Sequence, residues 1–305
     1  MTDTPSRVER HFKLMGGPAR LVIDGVSEEA HPLETFWQAL SARLTHLEQR
    51  YSRYLDDSLV STINRRAGTS SFTQLDTETA ALLDFAGRLW QESGGVFDVT
   101  AGPLRYAWNF QNGGSAAPER VEAARALIGW ERIEWSNNAI RLPLAGMEID
   151  LGGLVKEYAA DCAAQLIREA GLNHALIELA GDVVAIGTQA NGAPWSIGIQ
   201  DPHCEGTILT INLTDSAMAT SGNYARVLEY KGREYSHLLD PCSGYPVEGP
   251  TSVTVIDMRC LTAGAMATVA CLKPEVAATH WLEQSELPWL MVNAQGAVSG
   301  PIVTS

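Results

Sequence analysis

Positive charge is scarce in this sequence. Its 22 lysines and arginines stand against 36 aspartates and glutamates, a net charge of −14 over 305 residues. So acidic a surface argues against general binding to DNA, RNA or anionic lipid, where phosphates must be neutralised. It still admits a single nucleotide, which needs only local donors and a cation. Cysteine is sparse as well. Cys162, Cys204, Cys242, Cys260 and Cys271 form no C-x-x-C pair. An odd, scattered set argues against a disulfide frame and fits free thiols in a reducing compartment. Long apolar runs are missing, since no stretch reaches the ~18 residues of a membrane span. The opening "MTDTPSRVERHFKLMGG" carries no apolar run and no cleavage site, so a soluble, cytoplasmic protein without membrane insertion is expected. Internal repeats and low-complexity tracts are absent too.

What remains is a core. The chain is 45% hydrophobic and 19% charged, the balance of a packed globular protein. Phe36, Leu40, Leu44, Leu47 and Tyr51 recur at the spacing of one helical stripe over 33–51. A second stripe, Leu82, Leu83, Ala86, Leu89 and Trp90, predicts a helix over 77–92 that Gly94-Gly95 stops. Pro118 is placed to open a helix ending at Gly129. A further helix should follow Asp150-Leu-Gly-Gly and run to about Ala170, and a last one should run from Pro274 to about Gln284. "ARLVID" (19–24), "ALIELA" (175–180) and "DVVAIG" (182–187) read as strands. "VLEYKGREYSHLL" reads as a hairpin turning at Lys231-Gly232. "QNGGSAAPER" (111–120) is a surface loop by composition. Strands come in groups rather than alternating with helices, which predicts α+β with a largely antiparallel sheet. One domain over 1–305, of two interlocked lobes, is expected.

Several stretches could carry chemistry. In "IDLGGLVKEYAADCAAQLIREAG" (149–171) two glycines precede a helix whose first N–H groups are unpaired, and Lys156 adds a positive charge. That is a possible anion site; an ordinary strand-to-helix turn capped by Asp150 explains it as well. In "ESGGVFDVTAGPL" (92–104) Phe97 offers an apolar wall and Asp98 an acceptor, or else a core residue and a turn cap. "MATSGNYAR" (218–226) groups the hydroxyls of Thr220 and Ser221, without the strand–turn–helix context of a nucleophilic serine. "YSHLLDPCSGYPV" (235–247) sets His237 three residues before Asp240. Their side chains would point to opposite faces of a strand, so the Asp-Pro must turn the chain if both serve one site. "LTAGAMATVACL" (261–272) is a close-packing helix of small residues whose one polar contact candidate is Thr268.

Together these segments resemble the ApbE-type flavin transferases, the FAD:protein FMN transferases. The resemblance runs nearly end to end, through "LMGGPARLVID", "YSRYLDDSLVSTINR", "GGVFDVTAGPL", "IDLGGLVKEYAAD", "ELAGDVVAIG", "PWSIGIQDP", "MATSGNYAR", "YSHLLDPCSGYPV" and "AGAMAT". It implies a two-lobed, T-fold-like α+β domain with FAD in the cleft. It implies a reaction in which a Thr or Ser hydroxyl of an acceptor flavoprotein attacks the FMN phosphorus of FAD. AMP leaves, and the pyrophosphate charge is offset by Mg²⁺. By the resemblance His237 is the base, which suits an unperturbed imidazole pKa of ~6.5, and Asp240 orients the site. Met15, Tyr54, Phe97 and Asp98 line the FAD cleft, while Gly152, Gly153 and Lys156 approach the pyrophosphate. The Val155 carbonyl and Thr268 hold the metal.

The family pattern breaks at one place. Its Ala-Asp-Ala reads Ala-Gly-Ala here, so Gly264 stands where a metal carboxylate is expected. Nearby, the usual Lys-Gly reads Lys156-Glu157, and Glu157 could return the lost acid to the cation; a solvated helix residue is the plain alternative. On this alignment an aspartate restored at 264 should tighten the metal. The other functions left open are a protein that binds FAD without transfer, and a pyrophosphatase that splits FAD to FMN and AMP.

Overall fold

Leu21 and Ile23 face one way and Val22 the other, and all three are buried. A strand buried on both faces needs a cover on each side, and this one has two. The computed structural model describes residues 6–26, 33–108, 117–136, 138–223, 227–230, 233–236 and 238–304. The chain begins with β1 (Ser6–Leu14), β2 (Gly17–Val26), α1 (Leu33–Tyr51), α2 (Leu59–Arg65), β3 (Thr73–Gln74), α3 (Thr77–Ser93), α4 (Leu104–Ala107) and α5 (Pro118–Arg125). It continues through β4 (Glu134–Ser136), β5 (Ala139–Arg141), α6 (Val155–Glu169), β6 (Ala175–Leu179), β7 (Asp182–Ile186), β8 (Trp195–Gln200), β9 (Thr207–Leu213) and β10 (Ala217–Gly222). It ends with β11 (Val227–Tyr230), β12 (Arg233–Ser236), β13 (Ser252–Asp257), α7 (Cys260–Cys271), α8 (Glu275–Gln284), β14 (Trp289–Val292) and β15 (Val298–Ser299).

The main sheet has the order β1-β2-β6-β7-β10-β13-β14-β15, and each neighbouring pair is antiparallel. The α+β class with a largely antiparallel sheet is therefore as the strand grouping predicts. One face packs on α1, α6 and α7 through Leu21, Ile23, Ile177, Val184, Ala219 and Val255. The other is covered by the β8–β9 hairpin, through Trp195, Ile199 and Leu213 against Val22, Val183 and Met218. A third, small cluster of Leu104, Trp108, Val121 and Ile128 lies under α4 and α5. The helix opened by Pro118 stops at Arg125, four residues short of Gly129. Gly129 takes φ 150 instead, because the chain turns there into the short segment leading to β4. The hairpin predicted around Lys231-Gly232 is present as β11 paired with β12; the two turn residues themselves lie outside the described residues.

Two local features place the residues that matter below. Ala180 and Gly181 join β6 to β7 with φ of 49 and 96. Positive φ at both central residues makes the mirror-image turn that matches strand twist, and it delivers Asp182 to the head of β7. The second feature fixes α6 against α7. The Asp161 carboxylate accepts the first two N–H groups of α7, from Cys260 at 2.8 Å and Leu261 at 3.0 Å. A carboxylate there satisfies orphan donors and sits well on the helix dipole. One turn back along α6, Glu157 meets Gly264, one turn forward along α7. The two helices therefore run antiparallel, and the next turn in the same register sets Thr268 toward the start of α6.

Candidate active site

The start of α6 is built by the segments around it. Asn64 grips the backbone of Ile149, accepting its N–H at 2.8 Å and donating to its carbonyl at 3.0 Å. Asp150 then accepts the Gly152 N–H at 2.9 Å and pairs with Arg53 at 2.5 Å. Gly153 lies against Phe97, where a methyl group would sit in ordinary contact 3.4 Å from the ring. Phe97 is buried in the core and floors this turn. Leu154, which precedes α6, provides no side-chain cap; the Leu151 carbonyl accepts the Leu154 and Val155 N–H groups at 2.9 and 3.0 Å.

Three charged groups meet just beyond. Lys156 Nζ lies 2.5 Å from Asp182 Oδ2 and 3.5 Å from Glu157 Oε1. Both acids are buried, Asp182 to 1% exposure and Glu157 to 5%. Asp182 is anchored through its other oxygen, which accepts the Thr220 N–H at 3.1 Å. Glu157 Oε2 has no hydrogen-bond partner, an uncommon and costly state for a buried acid. Burial pushes the Glu157 carboxyl up to about 7, with Lys156 pulling against it and Asp182 adding to it. Burial also works against the Lys156 ammonium, but Asp182 and then Glu157 outweigh it and hold its pKa above the usual lysine range.

Glu157 is not a solvated helix residue. It fills the notch that Gly264 leaves in α7: a Cβ at 264 would fall 2.4 Å from Glu157 Cγ and 3.1 Å from Oε1. The Glu157 side chain thus reaches from α6 into the space that a side chain at 264 would take. An aspartate at 264, expected to tighten a metal, would have to displace the Glu157 side chain to be accommodated. Thr268 stands on the neighbouring turn, its hydroxyl 2.8 Å from that of Ser221 on β10.

These residues fit a divalent cation. A buried carboxylate oxygen without a partner, a hydroxyl and a helix-start carbonyl are hard oxygen donors of the kind Mg²⁺ takes beside phosphate oxygens. Among the described residues no group of three or more His, Cys, Asp or Glu side chains forms a metal cage. The ion would therefore share a substrate's phosphates rather than sit in an all-protein site.

The other predicted residues are placed as follows. Asp98 is 2.7 Å from both the N–H and the hydroxyl of Thr100 and accepts the Trp130 N–H at 3.1 Å. It ties its own turn, and burial raises its pKa. Asp240 accepts N–H bonds from Cys242 at 2.9 Å and Ser243 at 3.1 Å, and Gly244 N–H closes on the Asp240 carbonyl at 2.7 Å. The Asp-Pro does turn the chain. Trp108 pins this turn by donating from Nε1 to the Gly244 carbonyl at 2.7 Å. Burial, then Asp240 and Asp98, push the Cys242 thiol up. His237 lies outside the described residues, between β12 and this turn. Met15 takes a left-handed φ of 50, and its N–H donates to Glu48 on α1 at 2.7 Å. Tyr54 is 69% exposed and accepts a hydrogen bond from Arg53 at 2.9 Å, which links it to Asp150.

Sequence reasoning missed Asp182, Arg53 and Asp161. Asp182 was findable, as the one charge at the head of an otherwise apolar strand; Arg53 and Asp161 gave no such mark. A broad depression of about 760 Å³ between α8 and β14 shares none of these residues. It is rimmed by Glu275, Glu283 and Glu286, which would repel a phosphate, so the converging groups at α6 and α7 are the better candidate.

With that geometry in place, comparison with known proteins is decisive. The family model described as "ApbE family" matches residues 15–291. The chain belongs to the ApbE family. It is 30% identical over 268 residues to a FAD:protein FMN transferase of Vibrio cholerae, covering 85% of this chain and 79% of that one. A FAD:protein FMN transferase of Treponema pallidum is 30% identical over 256 residues, with coverage of 76% and 70%. Among solved structures, the ApbE protein of Thermotoga maritima superposes with a TM-score of 0.87 at 29% identity, over 98% of both chains. The flavin transferase ApbE of Vibrio cholerae superposes with a TM-score of 0.85 at 26% identity, over 97% and 96%. The resemblance read from the motifs is thus the family itself, and the α+β architecture is the ApbE architecture.

Proposed function

We propose that this ApbE-family chain is a FAD:protein FMN transferase. Its acceptor is another protein that presents a Thr or Ser hydroxyl in a short loop. The observation that carries the reading is that Lys156 and Glu157 stand together in the first turn of α6, with Glu157 against Gly264, one turn before Thr268 on α7. Charges of both signs and hard oxygens at a helix start suit a diphosphate accompanied by a cation.

In this reading the Gly152-Gly153 turn lets the FAD diphosphate approach the backbone, and Lys156 faces it. Phe97 floors the turn, while Met15, Tyr54 and Asp98 line the rest of the flavin site. Val155, through its carbonyl, with Thr268 and Glu157 would hold a divalent cation. When bound, that ion offsets phosphate charge in ground and transition states. The acceptor oxygen attacks the FMN phosphorus, the bond from that phosphorus to the bridging oxygen breaks, and AMP leaves carrying that oxygen. The hydroxyl proton passes to His237. Asp240 shapes the turn that follows His237 and so sets where the base stands. The acidic surface accords with a protein acceptor rather than nucleic acid. Among the described residues no helix is long and apolar enough to cross a membrane. All five cysteines are unpaired, which suits a reducing, cytoplasmic setting.

One assay tests the function. The protein is incubated with FAD, Mg²⁺ and a candidate acceptor, and both AMP and covalently bound flavin fluorescence are followed. Equal amounts of AMP and labelled acceptor are expected. AMP without label would mean hydrolysis, and bound FAD without AMP would mean a binding protein; either contradicts the proposal.

A further inference from the structure

Lys156 has two carboxylates within range and favours one. Its ammonium is 1.0 Å nearer to Asp182 than to Glu157, from the separations of 2.5 and 3.5 Å. Asp182 cannot drift after the lysine: it opens β7 directly after the tight Ala180-Gly181 turn, and the Thr220 N–H fixes its second oxygen. Neither Glu157 Oε2 nor Asp182 Oδ2 has a hydrogen-bond partner among the described residues, but Asp182 Oδ2 has the Lys156 ammonium at 2.5 Å, whereas Glu157 Oε2 has no cation in that range. A lysine free to settle on Glu157 would neutralise that oxygen and compete with any cation for it.

We infer that Asp182 is a positioning residue, which draws the Lys156 ammonium onto itself and so keeps the Glu157 carboxylate open to the cation. The inference rests on the reading that Glu157 contacts the metal. It assigns to the buried ion pair a task distinct from stability, since a buried pair by itself contributes little net stability. The lysine is kept close enough to face a diphosphate yet away from the one acid the ion needs. Asp182 also bears on Glu157 as a like charge, but the role assigned to it here runs through Lys156, and it touches neither substrate nor ion.

The test is a Mn²⁺ titration followed by electron paramagnetic resonance, without acceptor protein and at FAD concentrations that saturate each variant. Asp182→Asn keeps an acceptor for the Thr220 N–H but loses the charge that holds Lys156. Its Mn²⁺ affinity should fall about tenfold or more, the scale seen when residues behind metal ligands are altered. Asp182→Asn combined with Lys156→Met should return to within about threefold of the original, because no lysine remains to compete. Glu157→Gln should lose the site. If Glu157→Gln fails to bind while Asp182→Asn binds normally, the positioning role is overturned and the metal reading stands. If Glu157→Gln binds normally, the metal reading fails and this inference with it. If the double variant is as weak as Asp182→Asn, Asp182 acts by its own charge and the inference is wrong. Should Asp182→Asn not fold, Lys156→Met alone decides: undiminished Mn²⁺ affinity is expected, and a tenfold loss would overturn the role given to the lysine.

Discussion

His237→Ala is expected to abolish FMN transfer while leaving FAD affinity nearly unchanged. The histidine falls between β12 and the turn that Asp240 holds closed with two backbone N–H bonds. That turn is pinned from outside by Trp108. Holding a base in place before the acceptor arrives is one way in which positioning lowers a barrier. Removing a general base costs on the order of 10²–10⁴ in rate, and the FAD dissociation constant should move by less than about threefold, since the base takes up only the acceptor's proton. Stopped-flow flavin binding and single-turnover AMP release measure the two quantities separately. Loss of FAD affinity matching the loss of rate would make His237 a binding residue and remove the base from the mechanism.

The second large effect concerns Glu157, which fills the space beside Gly264. Glu157→Gly should lose metal-dependent transfer by about 100-fold or more, because hard cations seldom hold on hydroxyl and carbonyl oxygens alone. Gly264→Asp by itself should destabilise the protein by about 1–3 kcal/mol, the usual cost of forcing atoms into a filled core, since its Cβ would meet Glu157 Cγ at 2.4 Å. The two changes together should recover binding and rate to within about tenfold of the original, a departure from additivity that neighbours sharing one space should show. Metal titration and AMP release on all three variants provide the comparison. A double variant no better than Glu157→Gly would mean that the two positions do not serve one ion.

How far the sequence spoke depended on what each residue had to satisfy. The stripes over 33–51 and 77–92 became α1 and α3 because each helix buries a single face on the sheet or its neighbours. β13, by contrast, escaped the periodicity because it is buried on both sides with Ser252 and Thr254 inside. Its polar residues gave no strand signal, and in the fold Thr254 meets Thr220 at 2.8 Å. β1 escaped for the opposite reason, since most of it is exposed at the sheet edge. The fold and most candidate residues followed from motif order. The knot of Lys156, Glu157 and Asp182 did not, because it joins β7 to α6, two elements whose contact no local pattern encodes. Glu157 was visible as an odd acid, but only the contact with Gly264 tells it from a surface residue.

The central claim is that Glu157 supplies the carboxylate that α7 lacks. Anomalous diffraction from crystals grown with FAD and Mn²⁺ tests it most directly. The account predicts a manganese peak in bonding contact with the Glu157 carboxylate, the Thr268 hydroxyl and the flavin diphosphate. FAD bound with its manganese out of contact with Glu157 would contradict it.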